Sequence, residues 1–178
     1  VEAKIVGSRL KTGLPIRIDN PNELGSDLVA DAVGSLHIHG FPALIVDLGT
    51  ATKIFVVDKN AAFIGAVIFP GIKVSVKALV GSTSQLFDVS LERPEKILGK
   101  NTADSMNAGA IYGTAEMIRG LSVQIEHELG YPLKRILTGG YAHLVKDLLT
   151  NDYIYDPNLV LEGLYVLYKK NEVNKYAK

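Results

Sequence analysis

The sequence predicts an α/β domain in which helices flank a mixed sheet that contains an antiparallel three-strand meander. Apolar runs at 43–46, 51–57 and 61–71 follow one another with only turn residues between them, which is typical of consecutive antiparallel strands. The segment 103–129 repeats apolar residues at three- and four-residue spacings, which is typical of an amphipathic helix. A fourth strand, 134–140, stands between helical segments. Strands mixed with helices in this way predict a sheet covered by helices.

Composition narrows the class of protein. The 178 residues are 47% hydrophobic and 21% charged, and 19 basic residues balance 19 acidic ones, so no net field draws the chain to nucleic acid or to a membrane surface. The sequence has no cysteine, which excludes disulfides and thiolate metal sites. No apolar run reaches the roughly 18 to 20 residues of a membrane span, and the N-terminal residues lack the apolar core of a signal peptide. We therefore expect a soluble cytoplasmic domain.

The first elements are an extended lead-in, a helix and a hairpin. Residues 1–22 end in a Pro- and Asn-rich stretch that predicts extended chain. A helix over 28–37 follows, with Ser26 or Asp27 as its N-cap. Only two or three residues separate the first two strands, and a glycine in this turn (Gly49) supplies the backbone freedom that it needs.

The meander continues into a second helix. Residues 58–60 (Asp-Lys-Asn) predict a turn, and the third strand ends at Pro70-Gly71. Residues 72–81 predict a short helix that Gly81 closes. The polar stretch 82–101 predicts an irregular connection.

The long helix has clear signals at both ends. Thr102 is the expected N-cap, and Gly130 is the expected C-terminal stop. Gly109, Gly113 and Gly120 lie inside the helix, where each costs roughly 1 kcal/mol relative to alanine, so we expect them to pack closely against another backbone. The predicted core face comprises Met106, Ala110, Met117, Leu121, Ile125 and Leu129.

The remaining residues predict two helices and a tail. Residues 142–150 form the first helix, and 157–171 form the second, with Pro157 in its first turn. Residues 171–178 predict a frayed tail. The order of helix, three-strand meander, helices, strand and helices matches one lobe of the actin-like/Hsp70/sugar-kinase ATPase fold, which is ribonuclease H-like. We therefore predict a single lobe of this kind over 1–178.

Two glycine turns are candidates for phosphate binding. The D-L-G-T stretch at 47–50 places Asp47 beside the hydroxyl groups of Thr50 and Thr52, which suits a cation next to a phosphate. An ordinary polar hairpin tip is the alternative, and this motif alone favours it. The turn Thr138-Gly139-Gly140 follows a strand and precedes a helix, where a nucleotide can approach the backbone, although such turns also need glycine for steric reasons. No P-loop sequence occurs.

Two further polar residues have more than one interpretation. Asp27 could act as a general base toward a hydroxyl group or could cap the first helix, and its position alone favours the cap. Thr102 could likewise be a cap or a substrate ligand. The four histidines show no grouping with metal-ligand spacing.

Seven stretches together resemble the type III pantothenate kinases. They are KTGLPIRIDNPNELGSD, VDLGTAT, FIGAVIFPGI, LGKNT, MNAGAIYG, ILTGG and LVLEGL, in the order and spacing of that family, and they cover almost the whole chain. The resemblance implies an actin-like kinase that works as a dimer and phosphorylates pantothenate with ATP, the first step toward coenzyme A. It also implies a divalent metal, usually Mg²⁺, and a monovalent cation, K⁺ or NH₄⁺.

The resemblance assigns the pantothenate site to two segments. Asp27 would be the proton acceptor for the pantothenate hydroxyl group. Gly25, Ser26 and Leu28 would line the site with it, and Thr102 would contact pantothenate.

The resemblance assigns the nucleotide and the cation to the glycine turns. Asp47 would hold the monovalent cation, and Thr50, with Gly49 beside it, would contact ATP. The turn formed by Thr138, Gly139 and Gly140 would lie near the nucleotide.

The chain departs from the family pattern in three ways. Leu28 stands where the family has arginine, which removes a fixed cation and several donors, and Arg119 stands where an acid is usual. The family's first lobe, with its D-x-G-N-T phosphate hairpin, does not occur in the 178 residues. Three interpretations therefore remain open. They are a kinase lobe, a non-catalytic or regulatory relative such as the family member described as an accessory factor for transcription, and an inactive fragment of the kinase.

Overall fold

The computed structural model describes residues 5–6, 10–82, 86–149 and 151–172. Within them lie four α-helices: α1 (Ser26–Ile38), α2 (Ile72–Ser82), α3 (Thr102–Leu129) and α4 (Leu159–Lys170). The strands are β1 (Ala43–Leu48), β2 (Ala51–Val57), β3 (Phe63–Pro70), β4 (Lys134–Thr138) and β5 (Ile154–Tyr155). All four predicted strands and four of the five predicted helices are confirmed.

The strands form one five-stranded mixed sheet in the order β3-β2-β1-β4-β5. The first three strands form the predicted antiparallel meander, whereas β4 runs parallel to β1 and β5 runs parallel to β4. The ends of β1 and β4 therefore meet at the same edge of the sheet. The strand β5 was not predicted because its two residues are too few to show an alternating pattern.

Helices cover both faces of the sheet and divide the core in two. Ala43 and Ile45 of β1 belong to a cluster with residues of α1 and α4. Leu44 and Val46, which point to the opposite face, belong to a cluster with residues of α2 and α3. Because side chains alternate along a strand, Asp47 continues the face that α1 covers.

The first helix begins one residue earlier than a cap at Ser26 or Asp27 would allow. Gly25 is the N-cap of α1, and it makes no side-chain capping bond. Asp27 therefore lies inside the first turn, and the predicted cap is wrong. A carboxylate in the first turn still interacts favourably with the helix dipole.

Two other helix starts were also predicted wrongly. The N-cap of α3 is Asn101, whose side-chain oxygen accepts the N–H of Asp104 at 2.8 Å, so Thr102 is the first helical residue. Asparagine is a stronger N-cap than threonine, which explains the shift. Pro157 precedes the α4 N-cap, Asn158, and lies outside the first turn.

The glycines that pack against another backbone are not those that we predicted. A β-carbon added to Gly109, Gly113 or Gly120 would meet nothing within 4 Å, because these residues lie on the exposed face of α3. Close packing occurs instead between α1 and α4, where a β-carbon at Gly34 would lie 2.5 Å from the Leu159 carbonyl oxygen. The core face predicted for α3 is only partly confirmed, because Met106 is its only residue that is buried. The residues of α3 that are buried in the structure are Met106, Asn107, Ala108, Ile111, Ala115, Ile118 and Ser122.

The helix predicted over 142–150 is also wrong. The chain forms two short 3₁₀ turns, Ala142–Leu144 and Lys146–Leu148, and residue 150 lies outside the described residues. The Tyr141 N–H donates to the Leu48 carbonyl at 3.0 Å, so the segment is held against the end of β1 from its start.

The ends of the chain contain little regular structure in the described residues. Within the described residues, the lead-in pairs with the sheet at an isolated bridge between Ile16 and Phe63, and Leu14 is buried in the core. A 3₁₀ helix at Pro21–Glu23 interrupts the extended course of the lead-in. Most of the predicted frayed tail, 173–178, lies outside the described residues. In the part of the chain that the structure describes, no helix has both the length and the hydropathy needed to cross a bilayer.

Candidate active site

Three polar side chains lie in a row across the ends of three neighbouring strands. Asp47 on β1 is the register partner of Lys53 on β2 and of Thr138 on β4. Paired residues on neighbouring strands point to the same face, and here that face is the one covered by α1. The sequence predicted Asp47 and Thr138 for this site but not Lys53.

The helix α1 contributes two carboxylates to the same place. Asp27 and Asp31 are four residues apart, so they lie on one side of the helix, one turn above the other. The position of α1 is set by its backbone contact with α4, where Gly34 and Gly163 allow the two helices to approach closely.

Lys53 joins the helix to the strand. Its Nζ lies 2.6 Å from Asp27 Oδ2 and 2.6 Å from Asp47 Oδ2. The side chains of Lys53 and Asp47 are only 12% and 13% exposed, whereas that of Asp27 is 55% exposed. The ammonium is therefore enclosed, and Asp27 is the member of the group that solvent or a ligand can reach.

The ion pairs keep these groups charged. Burial disfavours the charged form of Lys53, but its hydrogen bonds to Asp27 and Asp47 outweigh burial and raise the pKa of the ammonium. Burial also opposes ionisation of Asp27, but the hydrogen bonds from Lys53 and from the Leu28 N–H, at 2.9 Å, lower the pKa of this carboxyl. Asp27 is thus an anion at neutral pH.

Asp31 is a further site residue that the sequence analysis missed. It is 2% exposed, and among the described residues its Oδ1 has no hydrogen-bond partner. Burial, and next the charge of Asp47, raise the pKa of Asp31 to about 7. The sequence did contain a signal, because Asp31 lies four residues after Asp27 in a helix rich in apolar residues, and aspartate is almost never fully buried unless it is paired.

The carboxylates and the second glycine turn enclose one cavity of about 430 Å³. Gly139 has a φ of +96°, and a β-carbon there would lie 2.5 Å from Asp47 Oδ1. Only glycine therefore allows the 138–140 turn to lie this close to the end of β1. The cavity is lined by Asp27, Asp31, Asp47, Thr138, Gly139, Gly140, Tyr155, Pro157 and Val160.

The tip of the hairpin lies next to this cavity but does not line it. Gly49 and the exposed Thr50 form the turn between β1 and β2. The Gly71 N–H donates to the Thr50 carbonyl at 3.0 Å, and a side chain at Gly71 would overlap the tip. The tip is thus held by the start of α2, with the Thr50 side chain facing solvent.

The remaining predicted residues lie outside the cavity. Gly25 and Ser26 are at the start of α1, and the Leu28 side chain is buried in the core at 6% exposure. Thr102 is exposed at the start of α3. The next residue, Ala103, lines a separate cavity of about 710 Å³.

The arrangement suits proton transfer more than metal coordination by protein side chains alone. Asp27 is ionised and accessible at the edge of the cavity, where it can accept a proton from a bound hydroxyl group. Within the described residues, no group of three or more His, Cys, Asp or Glu side chains has a geometry that could hold a metal ion. The carboxylates surround the Lys53 ammonium instead.

Comparison with known proteins points to one family. A family model described as type III pantothenate kinase matches residues 1–124. The type III pantothenate kinase of Geobacillus sp. (strain WCH70) is 40% identical over 167 residues, which are 94% of this chain and 65% of that protein. That of Myxococcus xanthus (strain DK1622) is 38% identical over 174 residues, which are 98% of this chain and 68% of that protein. The chain thus spans about two thirds of the length of these relatives.

A solved structure shares the fold. It is that of a conserved Campylobacter jejuni protein assigned to the Baf family of transcriptional activators, with a TM-score of 0.60 and 24% identity over 88% of this chain and 68% of that one. The family match covers most of the sequence, and relatives of known family are 38 to 40% identical over nearly all of it. The chain therefore belongs to the type III pantothenate kinase family.

Proposed function

We propose that residues 1–178 form one actin-like lobe of a pantothenate kinase, which transfers a phosphoryl group from ATP to pantothenate and yields 4′-phosphopantothenate. Family membership supports the reaction. The antiparallel meander, continued by parallel strands, supports the lobe. The observation that carries the proposal is that Asp27, Asp47 and the 138–140 turn, which are far apart in sequence, line one cavity.

Asp27 acts as the base in this proposal. Its carboxylate takes the proton of the pantothenate hydroxyl group as the oxygen bonds to the γ-phosphorus of ATP, and the bond from phosphorus to the leaving ADP oxygen breaks. The lowered pKa of Asp27 makes it a weak base. This weakness matters little, because catalysis of phosphoryl transfer depends mainly on positioning and charge.

The other predicted residues take the roles that the resemblance gives them. Gly25, Ser26 and Leu28 line the pantothenate site at the start of α1, with Leu28 contributing backbone because its side chain is in the core. In this proposal Thr102, which is exposed at the start of α3 and lies outside the cavity, also contacts pantothenate.

The nucleotide is assigned to the two glycine turns. Gly49 and Thr50 at the hairpin tip, together with Thr138, Gly139 and Gly140, face the ATP phosphates. ATP brings a divalent metal such as Mg²⁺, which supplies charge neutralisation and is commonly held by one or two carboxylates together with the phosphates; we assign it to no particular residue of the chain.

The proposed enzyme is a cytoplasmic homodimer. The support for a dimer is the resemblance and the exposed glycine face of α3, where Gly109, Gly113 and Gly120 leave room for another backbone. Sedimentation equilibrium tests it, and a monomer at all accessible concentrations would contradict it.

The direct test is ADP release from ATP with Mg²⁺, measured with and without pantothenate. We expect release to depend on pantothenate and to fall by about 100-fold or more in Asp27→Asn, the usual contribution of a general base. Asp147→Asn is the matched control, since Asp147 is 59% exposed, lies outside the cavity and pairs with Arg93 at 3.5 Å. Equal rates in the wild type and in Asp27→Asn would show that Asp27 is not the base.

One observation favours a second function, a binding or regulatory module without catalysis. Lys53 already occupies the Asp27 carboxylate at 2.6 Å, so the proposed base is paired before any substrate arrives. The Campylobacter jejuni structure assigned to a family of activators adds fold-level support only. Calorimetric titration with pantothenate separates the two functions. Specific binding that Asp27→Asn weakens favours the kinase, and no binding favours the regulatory module.

A further inference from the structure

The carboxylate at the end of β1 is already neutralised by a cation that belongs to the protein. Lys53 Nζ lies 2.6 Å from Asp47 Oδ2 and 2.6 Å from Asp27 Oδ2, the distance of short charge-assisted hydrogen bonds. Its side chain is 12% exposed. The ammonium is therefore fixed between two anions and is shielded from solvent.

A free monovalent cation does not fit beside Asp47 in this arrangement. The resemblance gives Asp47 the role of holding K⁺ or NH₄⁺, but the position against its Oδ2 is taken by a primary ammonium, which carries the same single charge and the same kind of N–H donors as NH₄⁺. A second cation at Asp47 would have to displace Lys53 or lie against its charge. Both are unfavourable in an enclosed site.

The surroundings show that this place needs a cation. Asp31 is 2% exposed and lines the same cavity as Asp27 and Asp47, and its Oδ1 has no partner among the described residues. Without Lys53, three carboxyl groups would face one cavity with no positive charge between them. Crowded carboxylates of this kind lose stability, take up protons or take up a cation from solution.

We propose that Lys53 is the resident monovalent cation of this site, and that the chain carries no exchangeable K⁺ or NH₄⁺ at Asp47. The ammonium is covalently tethered to β2, so its local concentration does not depend on the salt in solution. The inference deepens the proposed kinase function because it concerns the same site. Its chemistry depends only on the contacts of Lys53.

The test is the effect of cations on thermal unfolding, without pantothenate or ATP. Wild type, Lys53→Met and the control Lys169→Met, whose exposed lysine pairs with Glu172, are compared in potassium, ammonium and choline chloride at equal ionic strength. We expect the Tm of the wild type and of Lys169→Met to be the same in all three salts. Lys53→Met should have a lower Tm in choline, and this Tm should rise by about 5 °C or more in K⁺ or NH₄⁺ at about 100 times their Kd.

Two results would overturn the proposal. One is a wild-type Tm that rises in K⁺ or NH₄⁺ as much as that of Lys53→Met. The other is a Lys53→Met variant that gains nothing from either ion. Lys53→Gln also removes the charge and should show the same gain in K⁺ or NH₄⁺, so it replaces Lys53→Met if the latter does not fold. Lys53→Arg keeps the charge and should show no gain.

A direct measurement on the wild type does not depend on any variant. We expect equilibrium binding of Tl⁺, a K⁺ analogue, to reveal no specific site at Asp47. A Tl⁺ site for which K⁺ competes, and which Asp47→Asn removes, would overturn the proposal. Because neither experiment contains substrate, the kinase proposal can fail in the ADP assay while the Lys53 proposal holds, and the reverse can also occur.

Discussion

The contact between α1 and α4 holds the candidate site in place, and adding one methyl group at this contact tests its importance. Gly163 of α4 lies against the backbone of Ala30 and Gly34 in α1. The same helix α1 carries Asp27 and Asp31. Replacing Gly163 with alanine should therefore destabilise the fold and displace the two carboxylates.

The size of the effect follows from the distances. The added carbon would lie 2.6 Å from the Ala30 carbonyl carbon and 3.1 Å from the Gly34 nitrogen, and it would overlap the Ala30 carbonyl oxygen. Ordinary contacts are about 3.5 to 4 Å, and the overlap with the oxygen is the most severe, so the helices must separate by roughly 1.5 Å. Overpacking costs about 1 to 3 kcal/mol, and the upper end applies because backbone atoms cannot rotate away. Alanine returns about 1 kcal/mol in helix propensity, which leaves a net loss of about 2 kcal/mol.

Thermal unfolding followed by circular dichroism measures this loss. A change of 2 kcal/mol in a chain of this size lowers Tm by about 4 to 8 °C. Gly81→Ala in α2 is the matched control, because a β-carbon at Gly81 meets nothing within 4 Å and Gly81 is outside the proposed dimer face. It should raise Tm by about 2 to 4 °C through helix propensity alone. A Gly163→Ala variant that is as stable as the wild type would refute the argument.

Two further substitutions test the electrostatics. The pKa of Asp31 is raised from 3.8 to about 7, so the folded state holds this proton more tightly than the unfolded state does. Stability is then lost as pH rises between these values, by up to about 1.4 kcal/mol for each pH unit. Asp31→Asn should flatten that slope in urea unfolding, and an unchanged slope would contradict the role of burial. Glu126 accepts hydrogen bonds from Arg135 Nη2 at 2.6 Å and from the Leu133 N–H at 3.0 Å. Glu126→Ala should therefore cost about 2 kcal/mol at pH 7, and a loss below 0.5 kcal/mol would mean that solvent screens the pair.

The strands and most helices could be predicted because their signals are local. Alternation, turn residues and three- and four-residue spacings are properties of short windows of sequence. The close helix contact was predicted for the wrong helix, because a glycine in a helix does not show which element it faces. In α3 the glycines lie on the exposed side, and in α1 and α4 Gly34 and Gly163 meet each other.

The candidate site could be predicted where it lies on turns. Asp47 and the 138–140 turn were found from their glycines, and they do line one cavity. Asp31 was missed because it lies mid-helix among apolar residues, where a pattern search counts it as a break in the core face. Its importance comes from tertiary contacts, since burial and the charge of Asp47 determine its pKa.

Lys53 could not have been placed beside Asp47 without the register of the hairpin. From the sequence, the turn between β1 and β2 could contain two or three residues. These two lengths shift the pairing of β1 with β2 by one residue. In the structure Leu48 pairs with Thr52, and Asp47 pairs with Lys53. A turn one residue shorter would pair Asp47 with Thr52. Such a slip moves every side chain of the strand to the other face, so Lys53 would then point away from Asp47. With the observed register, Thr52 is fully buried on the face shared with Leu48, and an ammonium faces the carboxylate. The charge at the proposed catalytic site therefore depends on the length of one turn.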